Sequence, residues 1–367
     1  MKTKKMRYVW FLVILCIFCL TLFLARTRSK VEMRNRIYHQ WNEHFVVSKG
    51  KESYVRTTND SNQTVVLSEA QSYGMLITVA AAEKGQAQQA DFDRLYHYYL
   101  NHRLEGTQLM SWKQTISNGK AKDEDHNATD GDLYIAYALL KAAQQWPKQA
   151  KDYQAQAEAI LEDILAHNYN EETGVLTVGN WANQDSEFYH LMRTSDTLPA
   201  QFQIFYEVTK DSKWLDIKEK MLQQLQTISS QTKTGLLPDF IWVDEQGTRV
   251  ADPKTIESKY DGAYSYNACR LPYNLVQSKD KTSQQLVKKM LNFFKSQRNL
   301  YAGYDLKGKA LNNHQAASFL APIVYASEHE KGYLKLVQQN KYIFTQDLPL
   351  NNYYDATMTT MIALELF

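Results

Sequence analysis

The dominant pattern along the chain is an apolar stripe with the spacing of an α-helix. In 157–165 the apolar residues at i, i+3, i+4, i+7 and i+8 are Ala157, Ile160, Leu161, Ile164 and Leu165. Positions with this spacing share one face of a helix. A second stripe of the same kind runs through 214–228. Similar spacing predicts further helices near 33–46, 68–84, 90–103, 130–146, 197–209, 266–278, 284–298, 314–328, 331–343 and 355–366.

These helices predict the fold class. The chain shows no sustained apolar/polar alternation and has only seven prolines, which favours an all-α protein. Two related pentapeptides, ETGVL at 172–176 and KTGLL at 233–237, each follow a helix, and glycine is a common helix stop. A recurring helical pair indicates a closed ring of six helical hairpins in two layers. No low-complexity linker divides 31–367, so we predict one domain there.

An apolar segment precedes this domain. Residues 8–25 are eighteen residues without a charge, with basic residues on both sides. That length just spans a bilayer as a helix. Bulky Phe23 and Leu24 run directly into Arg26, where a cleaved signal peptide would have small residues. We therefore predict that 1–30 is a cytoplasmic tail and an uncleaved membrane anchor, and that the domain behind it is exported. Cleavage and secretion are the alternative.

The charge distribution narrows the choice of partners. The first 36 residues hold nine Lys or Arg against Glu32 alone, a local charge of +8, so the remainder carries −6 of the net +2. Nucleic-acid binding needs a basic face, which argues against that partner. Of three cysteines only Cys269 lies in the body, so no internal disulfide is expected there. The usual metal-binding and nucleotide-binding motifs are missing from the sequence, and we expect no metal and no cofactor.

The first candidate functional segment is VVLSEAQSYGMLI at 65–77. Ser68 and Gln71 have the spacing of a helix capping pair, which places Glu69 in the first helical turn. A glutamate there could simply favour the positive end of the helix dipole. However, Gly74 costs about 1 kcal/mol in a helix and calls for a reason such as close approach of a ligand.

The second candidate segment is NATDGDLYIAYALLKAAQQW at 127–146. Thr129 can cap this helix and Asp132 can complete a capping box, which leaves Asp130 at the mouth of the helix. Acidic residues at a helix start are often only a cap. If both helices belong to the inner ring, Asp130 could instead face Glu69.

A third segment, 238–272, is long, acidic and aromatic. Long loops in compact domains are usually functional or mobile, although most of its carboxylates are expected to be solvated. Sugar rings stack on aromatic faces, and several aromatic residues stand beside loop signals rather than in helical stripes: Trp112, Trp181, Trp242, Tyr264 and Tyr266.

These motifs resemble glycoside hydrolase family 8. SEAQSYG at 68–74 is similar to its SEGQGYG-type motif, and 128–146 is similar to its signature A-[ST]-D-[AG]-D-x-x-[IM]-A. The likeness continues through LMSW at 109–112, PDF at 238–240, NACRLP at 267–272 and YDLKG at 304–308. The resemblance implies an (α/α)6 barrel that hydrolyses β-linked polysaccharides with inversion at the anomeric carbon.

The resemblance also implies roles for residues. Glu69 takes the position of the general acid, Asp130 that of the residue holding the distorted sugar, and Arg270 that of the arginine after the base motif. Substrate contacts are expected from Gln71, Tyr73, Trp112, Asp196, Trp242, Tyr266, Asn267 and Arg270.

One departure concerns the catalytic base. Where the cellulase-like branch has Tyr-Asp-Ala, this chain has Tyr266-Asn267-Ala268, and an amide cannot take a proton from water. The chain looks like the chitosanase and lichenase branch, in which an acidic loop residue shortly before the Asn is the base. We predict Asp261 first, then Glu257, with Asp196 third.

The leading hypothesis is an inverting endo-hydrolase of a β-1,4-glucan, a mixed-linkage β-glucan or chitosan at the cell surface, with a glycan made by the same cell as one possible substrate. A catalytically silent glycan-binding barrel attached to a polysaccharide synthase is a second hypothesis, because Asn267 cannot act as a base. A polysaccharide lyase is a third, which the acidic body disfavours.

Overall fold

The computed structural model describes residues 2–58, 60 and 63–367. Within them the chain forms twelve α-helices. Their bounds are α1 Lys2–Phe45, α2 Ser68–Glu83, α3 Gln89–Asn101, α4 Thr129–Gln145, α5 Ala150–His167, α6 Pro199–Thr209, α7 Lys213–Ser230, α8 Leu271–Val276, α9 Lys281–Ser296, α10 Ala317–His329, α11 Leu334–Asn340 and α12 Tyr353–Leu366.

The helices form an (α/α)6 barrel, as the apolar pattern predicts. The even-numbered helices form the inner ring and the odd-numbered helices the outer ring, and α12 packs against α2 to close the circle. α2, α4, α10 and α12 are buried along most of their length. The outer α9 buries only one face, as expected for an amphipathic helix on a core.

α1 combines two predicted elements in one helix. The stripe near 33–46 belongs to the same unbroken helix as the apolar segment 8–25. Its last turns pack antiparallel to α12: the indole N–H of Trp41 donates to Thr357 Oγ1 at 2.9 Å, and Arg34 donates to the carbonyl of Phe367 at 2.9 Å. The apolar segment itself is exposed, and it is the one helix of the described residues long and apolar enough to cross a membrane. A domain boundary at residue 30 stays a prediction.

Three small antiparallel sheets lie outside the helices and were not predicted. β1 (Val46–Lys49) pairs with β2 (Glu52–Val55); β3 (Thr64–Leu67), β4 (Lys113–Ser117) and β5 (Lys120–Asp123) form the second sheet; β6 (Leu191–Arg193), β7 (Phe240–Asp244) and β8 (Gly247–Val250) form the third. Each strand has three to five residues, which is too short to show a clear alternation in sequence.

The paired pentapeptides also differ from expectation. Gly174 and Gly235 adopt positive φ values of 73° and 69°, which suits glycine. Neither ends a helix, because α5 ends at His167 and α7 at Ser230. Both glycines instead form turns in the loops that follow.

Candidate active site

The candidate site lies where the N-terminal ends of the inner helices meet. α2 and α4 approach each other so closely there that a Cβ added to Gly131 would be 2.2 Å from Ser68 Oγ. No larger residue fits at this crossing without displacement. The close approach places Glu69, the second residue of α2, beside Asp130, the second residue of α4, which is the arrangement that the sequence left open as the alternative to a simple helix cap.

Arg270 joins these two carboxylates from the opposite side of the ring. Its side chain is 1% exposed. Nη1 donates to Glu69 Oε2 at 2.6 Å and to the Tyr73 hydroxyl oxygen at 2.9 Å, while Nη2 donates to Asp130 Oδ2 at 3.1 Å and to Ser195 Oγ at 2.7 Å. Because it is buried beneath the carboxylates, Arg270 positions them rather than contacting substrate, and Tyr73 at 0% exposure does the same.

A second buried arginine, Arg193, was missed by the sequence analysis. Its Nη1 lies 2.9 Å from Asp130 Oδ1 and 3.7 Å from Asp196 Oδ1, and its Nη2 lies 3.4 Å from Glu257 Oε1. Arg193 ends β6, an apolar strand of only three residues. The sequence did offer a signal for it: an isolated arginine that follows two apolar residues and directly precedes Thr194-Ser195-Asp196.

The two central carboxyls have opposite pKa shifts. Burial raises the pKa of Glu69 to about 7; Arg270 opposes this and the charge of Asp130 adds to it. Burial also opposes ionisation of Asp130, but Arg193 and Arg270 outweigh it, and they hold the pKa of Asp130 below its usual value. A protonated carboxyl beside an ionised one is the division of roles that a general acid requires.

Asp196 lies under the same cluster. It is 1% exposed, and neither carboxylate oxygen has a hydrogen-bond partner among the described residues. Burial raises its pKa to about 7, Arg193 lowers it, and the charge of Asp130 raises it further. Burial keeps Asp196 away from a bound polymer, so a direct sugar contact is not supported in this geometry.

The structure does not bring Asp261, the first-choice base, to the cleft. Its side chain is 0% exposed, and its oxygens accept backbone N–H groups of Ile256 at 2.8 Å, Glu257 at 3.1 Å and Ser258 at 2.7 Å. Gly262 beside it packs against the backbone of Ala251 rather than a ligand. Asp261 therefore holds the loop, and the prediction that it faces substrate is not supported.

Glu257, at the other end of that loop turn, is the accessible carboxylate. Its side chain is 45% exposed. Oε2 accepts from Asn267 Nδ2 at 2.8 Å, and Oε1 lies 3.4 Å from Arg193 Nη2. Asn267 thus occupies the expected position, but it orients a neighbouring carboxylate instead of acting as a base.

The predicted helix caps are wrong. The side chain of Gln71 is buried and bonds to backbone groups of Val55, Ser53 and Leu95, so it joins α2 to β2 and α3 and cannot contact substrate. The Thr129 hydroxyl donates to the carbonyl of Thr177, and Asp132 accepts from the N–H of Met110 at 2.8 Å.

Gly74 likewise has a packing role. A Cβ at this position would lie 2.4 Å from Val55 Cγ2. The glycine therefore allows close packing of α2 on β2. The space beside it is filled by Val55 rather than by the ligand that the sequence suggested.

A row of half-buried rings lies beside the carboxylates. Trp112 stacks on His126 with centroids 5.8 Å apart, His126 contacts Trp181 at 6.2 Å, Trp181 contacts Phe188 at 5.3 Å, and Phe188 stacks on Trp242 at 6.3 Å. We call these five residues the aromatic row. It begins next to Glu69, because the carbonyl of Trp112 accepts from the N–H of the adjacent Ser68 at 2.9 Å.

Tyr266 and Asp239 complete the surroundings. Tyr266 is 43% exposed and rests edge-on against Phe319, which leaves it able to contact a ligand. Asp239 is buried and accepts the N–H groups of Ser265 and Ala268 at 3.1 and 2.7 Å. It fixes the segment that carries Asn267 and Arg270. No group of three or more His, Cys, Asp or Glu suited to a metal occurs among the described residues.

An inner helical ring, a carboxylate pair bridged by Arg270 and a row of aromatic rings together favour a barrel that acts on polysaccharides. Residues 13–365 match the model of glycosyl hydrolases family 8. The chain belongs to this family and is a glycoside hydrolase.

Curated relatives agree with this assignment. A "Beta-glucanase" of Niallia circulans is 30% identical over 298 residues, 78% of this chain and 72% of the relative. An "Endoglucanase" of Bacillus sp. strain KSM-330 is 30% identical over 275 residues, 71% of this chain and 58% of the relative. The matched part of the chain thus spans 72% and 58% of the length of these two proteins.

Solved structures show the same fold. The apo β-1,3-1,4-glucanase of Paenibacillus sp. X4 superposes with a TM-score of 0.82 at 24% identity and covers 93% of this chain and 92% of its own. Rex8A of Paenibacillus barcinonensis, solved with xylose, gives a TM-score of 0.72 at 22% identity and covers 91% of this chain and 93% of its own.

Proposed function

We propose that this protein hydrolyses a β-linked glucan within the chain, with inversion at the anomeric carbon. The observation that carries this proposal is the pair of unlike carboxyls: Glu69, which is 20% exposed and has a pKa of about 7, and the more accessible Glu257 beside Asn267. The names of the β-glucanase and endoglucanase relatives support a glucan as the substrate.

Glu69 acts as the general acid. Its pKa of about 7 keeps it mostly protonated in mildly acidic solution, so it can give a proton to the glycosidic oxygen as the bond to the leaving sugar breaks. Arg270 donates to only one of its oxygens, Oε2, which leaves the other carboxyl oxygen for the substrate.

Glu257 acts as the general base, in place of Asp261. An inverting enzyme needs an ionised carboxylate about 6.5–9.5 Å from the acid, with room for a water on the far side of the sugar ring. Glu257 is exposed and is held by Asn267 and Arg193 from two directions. The oriented carboxylate takes a proton from that water as the water attacks the anomeric carbon.

Asp130 holds the sugar between them. Its ionised carboxylate is fixed by Arg193 and Arg270 and can accept hydroxyl hydrogen bonds from a distorted ring, which strengthen toward the transition state. The aromatic row and Tyr266 offer stacking surfaces for neighbouring sugars. An extended row suits a polymer rather than a short oligosaccharide.

The anchor decides where this reaction takes place. We propose that residues 8–25 of α1 span the membrane and that the barrel lies outside the cell, supported by the exposed apolar helix and its basic flanks. Trimming of a glycan made by the same cell, and a polysaccharide synthase partner, stay predictions.

Reducing-sugar release tests the proposed activity. The full chain is incubated with mixed-linkage β-glucan, carboxymethylcellulose, chitosan and xylan, with Glu69→Gln as the matched control. We expect hydrolysis of a glucan, and a loss of about 10²- to 10⁴-fold in the variant because an amide cannot donate the proton. Wild-type inactivity on every polymer would favour the catalytically silent binding barrel. Activity on chitosan alone would mean that the substrate is chitosan and not a β-glucan.

A further inference from the structure

The helical directions of the barrel define a face opposite the cleft. Glu69 and Asp130 lie at the starts of inner helices α2 and α4, and Arg270 directly precedes α8. The C-terminal ends of the inner helices therefore point away from the site. We call this end the distal face; it consists of the C-terminal Phe367 and five turns, 84–88, 146–149, 210–212, 277–280 and 330–333.

α1 enters the barrel at the distal face. The Lys30 ammonium lies 5.3 Å from the ring centroid of Phe367, and Arg34 donates to the Phe367 carbonyl at 2.9 Å. At its other end, the Phe45 ring contacts Tyr353 at 5.8 Å, beside the site. α1 therefore runs from the distal face toward the cleft, and the apolar segment leaves the barrel from the distal face without a break in the helix.

The turns of the distal face share a second feature. Each turn or the residue at its edge carries an exposed lysine, and none of the five forms an ion pair within the described part of the chain: Lys84, Lys148, Lys210, Lys279 and Lys331. Of the acids on these turns, Glu330 pairs with Lys288 at 3.4 Å. Asp211 and Asp280 accept backbone N–H groups, which leaves their negative charge in place. Five lysines without an ion pair against these two aspartates give the turns a positive balance.

An exposed aliphatic side chain lies on this face as well. Outside α1, the large hydrophobic side chains exposed among the described residues are Tyr266 near the cleft and Leu334, which is 64% exposed. Leu334 follows the last of the five turns and stands between Lys331 and Lys335. An apolar side chain flanked by lysines suits the boundary between headgroups and acyl chains.

We infer that the distal face lies on an anionic lipid surface and that the cleft faces away from the membrane. This inference rests on the proposed anchor. A lysine near such a surface is attracted by anionic headgroups within a Debye length. From Ala25 to Phe45 the unbroken helix rises about 30 Å at 1.5 Å per residue. The cleft thus opens toward polymer at a distance from the bilayer and not toward lipid-linked chains at its surface.

Distance-dependent quenching tests the orientation. The full chain carries Cys16→Ala and Cys19→Ala, buried Cys269 is kept, and single cysteines replace Asp125 or Lys148, which flank the two ends of α4. The labelled proteins are reconstituted in phosphatidylcholine vesicles containing phosphatidylglycerol and a headgroup-attached quencher. We expect strong quenching at Lys148→Cys and weak quenching at Asp125→Cys. Equal quenching, or stronger quenching at Asp125→Cys, would overturn the orientation.

Charge reversal tests the lipid contact. Lys84→Glu with Lys279→Glu should reduce quenching at Lys148→Cys in vesicles with phosphatidylglycerol and have little effect in phosphatidylcholine alone. The matched control, Lys120→Glu with Lys122→Glu on β5, should change neither. If quenching at Lys148→Cys is the same with and without the charge reversal, and with and without phosphatidylglycerol, the proposed contact with anionic headgroups is wrong. Hydrolysis of soluble mixed-linkage β-glucan by the same vesicles reports the proposed activity separately.

Discussion

Glu257 and Asp261 lie four residues apart, yet they face opposite environments. Asp261 is closed off by three backbone N–H groups, whereas Glu257 is open to solvent and held by Asn267. In Glu257→Gly we expect turnover to fall by about 10²- to 10⁴-fold because the base is lost. Azide entering the vacated space should restore turnover and give an inverted glycosyl azide.

The matched control is Asp261→Asn. It leaves a backbone N–H facing an amide N–H, so it should lower the free energy of unfolding by about 1–3 kcal/mol, measured by chemical denaturation. Azide should not rescue it. Rescue in Asp261→Gly or Asp196→Gly, with wild-type turnover in Glu257→Gly, would transfer the role of base to that aspartate.

The pKa of Glu69 and the charge of Asp130 determine how kcat/KM is expected to fall at alkaline pH. The acid must be protonated, so kcat/KM should fall about tenfold per pH unit above the Glu69 pKa of about 7. Burial is the main cause of that raised pKa, and the charge of Asp130 adds to it. In Asp130→Asn the alkaline limb should therefore move to lower pH, together with a lower kcat. A reduced melting temperature with an unshifted limb would leave Asp130 a structural role only.

The role of a residue could be predicted when its partners are near it in sequence, and could not be predicted when they are distant. Glu69 and Asp130 belong to continuous helical motifs, so their positions followed from sequence. The role of Gln71 depends on Val55 and Leu95, and that of Arg193 depends on Asp130 and Glu257. A helical pattern carries no information about such partners. The same limit explains why Asp261 was predicted as the base. The sequence cannot show which loop carboxylate is enclosed by backbone N–H groups and which one faces the cleft.

At the level of elements, the crossing of α2 and α4 holds Glu69 and Asp130 together. A Cβ at Gly131 would meet Ser68 Oγ at 2.2 Å and the Ser68 backbone carbon at 3.0 Å. Gly131→Ala should therefore cost about 1–3 kcal/mol of folding free energy through overpacking. It should also lower kcat, because the two helix starts are forced apart.

Relief by a second variant checks this explanation. Ser68→Gly removes the closest atoms, so Gly131→Ala should cost less in that background than alone, as measured by denaturation of both single variants and the double variant. Strict additivity would contradict a steric contact between these positions.

The secondary-structure elements also differ in how well they could be predicted from the sequence. Long amphipathic helices were predictable because their apolar faces repeat over many residues. The short strands were not, although β6 and β7 position Arg193 and Trp242. Strands of a few residues are stabilised by partners distant in sequence, so their local pattern is weak.

At the scale of the whole molecule, the apolar segment 8–25 and the first packed turns of the barrel belong to one helix. The sequence indicated an anchor and a barrel with a boundary at residue 30, but α1 continues through that residue and packs its last turns on α12. A continuous helix transmits orientation, whereas a flexible linker would not. The orientation of the barrel is therefore tied to that of the apolar segment, which a boundary drawn from composition could not show.

The central claim is that Glu69 and Glu257 act from opposite faces of the sugar ring. Proton NMR of the first products released from mixed-linkage β-glucan by the full chain tests it most directly. A water activated by Glu257 on the face opposite Glu69 should give the α-anomer first, followed by slow mutarotation. Initial formation of the β-anomer would mean retention through a covalent intermediate and would contradict the roles given to both residues.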